Sequence, residues 1–385
     1  MNNTHLSNKI KVLGIMNGTS LDGVDFTLTQ VYKAKPHVRF LKHQSFLFPK
    51  NLRLNLLKAT QHQLRVNELA LLHHGLGRFY AACFQKLKFK KQVQLIGLHG
   101  QTVFHQGLKK PQATLQIGEA SYLAAVAKVP VVADFRTADM ALGGQGAPIA
   151  TLFHQLAFAT AANKNNSLAV HNLGGISNLS IIKSGKVIAA FDTGPANMLL
   201  DLCIQRHSQG KIHFDKNGQQ ASLGHVDQIL LKKMLKHPYF KKKHPKSCGR
   251  EEFGEVFFDL FLGGKKKSSS PKRDDKLSLQ DQLATLTELT AVSIARSYQQ
   301  FAQHKIQRIV FCGGGSKNAF LLSRIQQHLP GIAITTCEQL GWPTEAIEGA
   351  AFALLAAYRI WNIPSNLPQT TGALRQTSMG KIVFV

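Results

Sequence analysis

Residues 14–25 read Gly14-Ile15-Met16-Asn17-Gly18-Thr19-Ser20-Leu21-Asp22-Gly23-Val24-Asp25. Asn17 and Gly18 tolerate positive φ and make a tight turn, and Thr19 and Ser20 add two hydroxyls. Such a turn gathers backbone N–H groups on one concave surface that can hold phosphate oxygens. Asp22 and Asp25 flank it, and carboxylates there can orient a Mg²⁺ ion or its waters. The same residues also suit a plain β-hairpin with a polar tip. A second candidate is Asp192, which follows an apolar run at 187–191 and precedes Thr193-Gly194-Pro195-Ala196-Asn197 and a helix. A carboxylate at a strand end can meet an electrophile or a phosphate as a general base, or it can cap the helix.

Three more stretches could carry binding chemistry. His99-Gly100-Gln101-Thr102 ends the apolar strand at 93–98. Ligands of open α/β sheets sit at such carboxyl ends, although the same residues can simply end a strand. Asn172-Leu173-Gly174-Gly175-Ile176-Ser177-Asn178 is a second hairpin with a glycine tip. Gly313-Gly314-Gly315, between a strand at 308–312 and a helix at 319–327, lets the backbone lie against a planar or phosphate-bearing ligand. The loop Leu142-Gly143-Gly144-Gln145-Gly146-Ala147-Pro148 reads as a lid or a close-approach surface.

Strands and helices alternate around these stretches. Strands are expected over 10–48, a helical pattern over 52–89, and later strands at 114–118, 130–135, 168–171, 179–182, 187–191, 308–312 and 332–336. Helices are expected at 277–303 and 346–360, with a terminal strand at 381–385. His73 and His74, adjacent within the first helical pattern, point to different faces and do not form a metal pair. The Lys- and Ser-rich segment 265–276 is expected to be a surface loop. The alternation gives an α/β fold.

The bulk numbers narrow the function classes. A chain of 385 residues exceeds one small core and suggests two domains. Cys83, Cys203, Cys248, Cys312 and Cys337 are odd in number and dispersed, which fits free thiols in a reducing cytoplasm. The N-terminus lacks a signal-type apolar core, and no uncharged apolar run reaches the ~18–20 residues needed to span a bilayer. No membrane role is expected. The formal charge of +26 would suit nucleic acid or an anionic small molecule. The Lys runs at 86–91, 241–243 and 265–267 lie outside the Gly-rich stretches and accompany no nucleic-acid-binding motif, which disfavours nucleic acid.

Taken together, these stretches resemble the anhydro-N-acetylmuramic acid kinase family of the actin/hexokinase/Hsp70-like superfamily. The resemblance is carried in order by Gly18 to Asp25, His99 to Thr102, Asp134-Phe135-Arg136 with Asp139, Gly143 to Pro148, Asn172 to Asn178, Phe191 to Pro195, Gly249-Arg250-Glu251, Gly313 to Asn318 and Thr371-Gly372-Ala373. Departures are Asn17 for the family's usual Ser, Ala196 for Gly, Cys248 for Thr, Gly254 for Asn and Gly349 for Ala. None removes a charged or proton-transferring group.

The resemblance implies a two-lobed, duplicated ATPase fold with a central interlobe cleft. Lobe I would span 1–134 with 361–385 returning to it, and lobe II 135–360. It implies ATP and Mg²⁺ as cofactors, an anhydro amino sugar as substrate, a cytoplasmic location and an assembly compatible with a homodimer. The implied reaction opens 1,6-anhydro-N-acetylmuramic acid with water and phosphorylates O6 during peptidoglycan recycling. Asp192 would be the base. Gly18, Thr19, Ser20, Leu21, Asp22, Gly23, Val24, Asp25, Gly174, Gly175, Gly313, Gly314 and Gly315 would hold ATP, with Asp22 and Asp25 toward Mg²⁺. His99, Thr102, Arg136 and Glu348 would hold the sugar, with Arg136 suited to a bidentate grip on its lactyl carboxylate. Arg136 could equally form a structural ion pair, and Glu348 could be a surface helix carboxylate. Another sugar kinase of the superfamily, or a non-catalytic nucleotide- or nucleic-acid-binding protein, are the competing functions.

Overall fold

The structure is a computed structural model that describes residues 7–18, 21–108, 110–158, 167–244, 246–263, 277–301 and 304–384. The segment 265–276 and the hydroxyl residues Thr19 and Ser20 lie outside the described residues. The chain divides into two compact units, one of Met1–Thr160 with Gly341–Val385 and one of Ala161–Leu340.

In the first unit, β1 (Lys9–Met16), β2 (Gly23–Tyr32) and β3 (His37–Leu47) form an antiparallel meander. β4 (Leu95–Leu98) and β7 (Val131–Ala133) add in parallel on the other side of β1, and β13 (Lys381–Val383) closes the edge against β7. A separate ribbon joins β5 (Gln101–Gln106) to β6 (Ala113–Ile117). The second unit repeats the plan. β8 (Ser167–Leu173), β9 (Ile176–Lys183) and β10 (Lys186–Pro195) form a meander, and β11 (Ile306–Cys312) and β12 (Ala333–Thr336) add in parallel. The strand orders are β3-β2-β1-β4-β7-β13 and β10-β9-β8-β11-β12, so the first five strands of the first sheet match the second in order. The fold is therefore a duplicated α/β fold by topology, although the two meanders share little sequence.

Central strands are buried on both faces and read as continuous apolar runs, as parallel pairing requires. Leu95, Ile96 and Leu98 of β4, and Leu168, Ala169 and Val170 of β8, are almost fully buried. His171 is the polar exception in β8. Its Nδ1 meets the Tyr298 hydroxyl at 3.0 Å and its Nε2 meets Ser177 Oγ at 2.6 Å, and burial pushes its pKa down to about 3. It is a neutral, satisfied core histidine.

The unit boundaries correct the expected lobe limits. Residues 135–160 and 341–360, assigned from sequence to the second lobe, belong to the first unit. The reason is packing: the helix Ala346–Ile360 lies on β1, β2 and β4. Its approach is set by Gly14 on β1 and Gly349 on the helix. A Cβ on Gly14 would overlap the Gly349 carbonyl, and a Cβ on Gly349 would lie 2.6 Å from Thr27 Oγ1. Backbone has no room to yield there, so Gly14→Ala should destabilise the protein by about 1–3 kcal/mol or more through overpacking. Urea denaturation of the variant checks this, with the midpoint expected to fall.

The expected helix over 52–89 is two helices, Lys50–Thr60 and Val66–Lys86, separated at a turn where His62 has φ 58°. His73 has two partners. Its Nδ1 accepts from the Gly118 N–H at 3.0 Å and its Nε2 meets Glu119 at 3.1 Å, tying the second helix to the end of β6. All five cysteines are free thiols. Among the described residues no helix is long and apolar enough to cross a membrane.

Candidate active-site residues

In the first unit the β1–β2 hairpin pairs Met16 with Asp25 across its turn. Asn17 is buried and locked: its amide donates to Gln101 Oε1, and its oxygen accepts from the Tyr80 hydroxyl at 2.6 Å. Ser in that position would be too short to reach both partners, which gives the departure at Asn17 a structural reason. Val24 and Leu21 are core residues, and a Cβ on Gly23 would overlap the Phe46 carbonyl on β3. Any ligand contact from Leu21, Gly23 and Val24 must therefore come from backbone. Leu21 N–H closes the turn on the Gly18 carbonyl at 3.4 Å.

The two flanking carboxylates differ. Asp22 is largely exposed and accepts from Arg53 at 2.9 Å. Asp25 is half-buried and accepts from the Ser45 hydroxyl at 2.6 Å, with His43 Nε2 at 3.3 Å. Both are hard oxygen donors suited to Mg²⁺. Among the described residues no group of three His, Cys, Asp or Glu side chains could hold a metal ion.

Beside this hairpin the structure groups His99, Arg136 and Glu348. His99 is buried, with its ring 4.4 Å from that of Phe352. Arg136 Nη2 lies 3.0 Å from His99 Nε2 and Nη1 donates to the Gly146 carbonyl at 2.7 Å. An arginine only donates, so Nε2 must accept and the imidazole proton sits on Nδ1, facing the Gly100 carbonyl at 2.9 Å. Burial and the neighbouring guanidinium hold His99 well below the usual imidazole pKa, hence neutral. Burial lowers Arg136 to about 10, and the nearby Glu348 opposes the shift. Glu348, in the first turn of the helix Ala346–Ile360, is raised by burial and by repulsion from Asp25, against the pull of Arg136. Arg136 Nε is buried and has no hydrogen-bond partner among the described residues. That orphaned donor argues against a purely structural ion pair. Thr102 is not part of this group; on β5 its hydroxyl accepts from Gln116 of β6 at 3.2 Å.

In the second unit Asp192 lies within β10, not at its end, opposite Asn178. A register shift between Asp192 and Gly194 re-aims the side chains there. The helix Asn197–His207 is preceded by Ala196 as its cap residue, so Asp192 is not a helix cap. A strap at residues 246–248 runs along it. Asp192 N–H donates to the Lys246 carbonyl at 3.0 Å, and Cys248 N–H donates to Asp192 Oδ2 at 2.9 Å. The Tyr239 hydroxyl donates to the Asp192 carbonyl at 2.7 Å, and Lys246 Nζ sits 4.6 Å from the Tyr239 ring centre. Burial pushes the Asp192 carboxyl up to about 7; the Cys248 N–H and Lys246 oppose this, and Glu251 adds to it. A carboxylate with a pKa near neutrality is matched to proton transfer at neutral pH. Because the Cys248 contact is made by its backbone, the family's usual Thr at that position is not needed for it.

The glycine stretches of this unit divide into structural and open positions. The carbonyls of Gly174 and Gly175 accept from Asn197 N–H at 3.0 Å, Ala196 N–H at 3.0 Å and Met198 N–H at 3.1 Å. The helix N-terminus expected to face a ligand is thus occupied by the hairpin tip. Gly313 has φ 79° and ψ 169°, and a Cβ on it would overlap Asn172 Oδ1. A Cβ on Gly315 would lie 2.7 Å from Leu173 Cβ. A Cβ on Gly314 would meet only Asn197 Nδ2, at an ordinary contact distance of 3.8 Å. Gly313→Ala should therefore cost about 1–3 kcal/mol of stability, whereas Gly314→Ala should fold normally and weaken nucleotide binding. Thermal melts with an ATP titration separate the two outcomes.

Two groups escaped sequence reasoning: the strap 246–248 with Tyr239, and the Asn17–Tyr80–Gln101 cluster. The first had a signal in the neighbouring Gly249-Arg250-Glu251; the second had none, because its members come from three distant segments.

Both units carry one sheet plan, the duplicated α/β arrangement that the resemblance implies, and the second holds a buried carboxylate with a pKa near neutrality. The family model for anhydro-N-acetylmuramic acid kinase matches residues 10–385. The anhydro-N-acetylmuramic acid kinase of Haemophilus influenzae is 38% identical over 377 residues, covering 96% of this chain and 97% of that protein. That of Vibrio vulnificus is 36% identical over 381 residues, covering 97% and 98%. That of Caldanaerobacter subterraneus is 37% identical over 392 residues, covering 96% of each. The chain belongs to the anhydro-N-acetylmuramic acid kinase family.

Proposed function

We propose that the protein is an ATP-dependent kinase that hydrolytically opens 1,6-anhydro-N-acetylmuramic acid and phosphorylates O6, giving N-acetylmuramic acid 6-phosphate and ADP in peptidoglycan recycling. Water oxygen forms a bond to C1 as the C1–O6 bond breaks. O6 takes the γ-phosphoryl group, whose bond to the β-phosphate oxygen breaks to leave ADP. The proton of the attacking water passes to Asp192.

The observation that carries the proposal is Asp192, held at Oδ2 by the Cys248 N–H with its pKa near 7. A water-activating carboxylate is what an inverting displacement at a sugar carbon requires. ATP phosphates would be held by backbone around Gly18 and Gly314, and Mg²⁺ by Asp25 and Asp22 with intervening water. The ion would neutralise charge on the transferring phosphoryl group. Arg136 would bind the lactyl carboxylate through its orphaned Nε, with neutral His99 and Glu348 toward the sugar hydroxyls. The expected site of action is the cytoplasm.

ADP release with Mg-ATP tests the proposal. Release with the anhydro sugar, and not with N-acetylmuramic acid or N-acetylglucosamine, is expected. Release with an ordinary sugar would move the protein to another kinase reaction, and release with none would remove the activity.

A further inference from the structure

The tail motif Thr371-Gly372-Ala373 and the loop 142–148 have no role in the chemistry above, yet they meet at one buried carboxylate. Asp139 is fully buried. Its Oδ1 accepts from Thr371 Oγ1 at 2.7 Å and from Asn366 Nδ2 at 2.8 Å. Its Oδ2 accepts from the Gly146 N–H at 2.9 Å, and its own carbonyl accepts from the Gly144 N–H at 3.0 Å. The loop and tail are further laced by Gln145 N–H to the Thr371 carbonyl at 2.8 Å and Leu374 N–H to the Leu142 carbonyl at 2.9 Å. A Cβ on Gly144 would overlap the Asp139 carboxylate. Across the Gly146 Cα, the next peptide unit meets Arg136: the Gly146 carbonyl accepts from Arg136 Nη1 at 2.7 Å.

We infer that Asp139, fastened by Thr371 and Asn366, positions the Gly146 carbonyl that aims the Arg136 guanidinium, and so sets the preference for a sugar bearing a carboxylate. This rests on Arg136 binding the lactyl group. One N–H of Nη1 is committed to Gly146 and one of Nη2 to His99, which fixes the guanidinium plane, while Nε is buried without a partner among the described residues. A planar fork discriminates by direction as well as charge. A small misalignment of such a group, caused from outside the site, can cost substantial substrate affinity. Asp139, Asn366 and Thr371 are positioning residues, because none of them is proposed to touch the sugar.

The test compares Thr371→Val and Asp139→Asn with Arg136→Lys. Each is measured on 1,6-anhydro-N-acetylmuramic acid as substrate and on 1,6-anhydro-N-acetylglucosamine, which lacks the lactyl group, as a competing ligand. The expected result for Thr371→Val and Asp139→Asn is a rise of about tenfold in KM for the muramyl sugar, with kcat, KM for ATP and affinity for the glucosamine analogue nearly unchanged. Thr371→Val is close to isosteric, and its melting curve reports whether the fold is intact. A parallel loss for both sugars, or a fall in kcat that tracks lost folded protein, would overturn the inference in favour of a structural role. If Arg136→Lys does not separate the two sugars, the carboxylate role of Arg136 fails, and the inference with it. If Arg136→Lys separates them and Thr371→Val does not, the positioning inference alone falls.

Discussion

Asp192→Asn is expected to lower kcat by about 10²–10⁴-fold, the usual contribution of a general base, while ATP still binds. The amide is nearly isosteric and can still accept the Cys248 N–H, so the strap at 246–248 should stay in place. In the unaltered protein, kcat/KM should rise with pH through about 7, as Asp192 loses its proton and becomes competent to accept one from water. Asn at this position should abolish that limb. Stability should move the other way. The folded-state pKa of Asp192 lies above the ordinary value of 3.8, so between about pH 4 and pH 7 the native state holds a proton that the unfolded chain has released. Stability falls as pH rises through that window. At pH 8 the buried ionised carboxylate is a net cost, and Asp192→Asn should raise the melting temperature while removing activity. Steady-state kinetics and calorimetry on the same two proteins measure both effects.

Arg136→Ala is expected to reduce kcat/KM for the anhydro sugar by about 10–10²-fold, as loss of a hydrogen bond to a charged group entails. Arg136→Lys should recover little of that loss, because an ammonium keeps the charge but not the planar fork. The substitution reaches two neighbours. His99 Nε2 loses the donor that fixes its tautomer, and Glu348 loses the charge that opposes its raised pKa. Glu348 should then be protonated over a wider pH range in Arg136→Ala. ATP affinity should hold, since no phosphate role is assigned to Arg136.

How far these groups could be read from sequence depended on how local their partners are. The hairpin at Asn17-Gly18 and the repeated glycine tip at Gly174-Gly175 are written in adjacent residues, and both form where expected. What they do is less legible. Asn17 serves Tyr80 and Gln101, and the Gly174 and Gly175 carbonyls cap a helix rather than face outward. Asp192 stood out as a carboxylate after an apolar run. Its location inside β10 did not, because the strand is prolonged by backbone pairing with Lys246 and Ser177-side neighbours that no local pattern records. The unit boundary was misplaced for a related reason. The helix Ala346–Ile360 reads as a plain apolar helix, and its packing on β1, β2 and β4, with Gly14 against Gly349 more than three hundred residues away in sequence, assigns it to the first unit.

The most direct measurement of the central claim is time-resolved proton NMR of the sugar during turnover with Mg-ATP. If Asp192 activates a water that displaces O6 from C1, the 6-phosphorylated product must appear first as one anomer, inverted at C1 relative to the anhydro sugar, before it mutarotates. First appearance of the retained anomer, or of both anomers together at the earliest times, would contradict a single water displacement guided by Asp192.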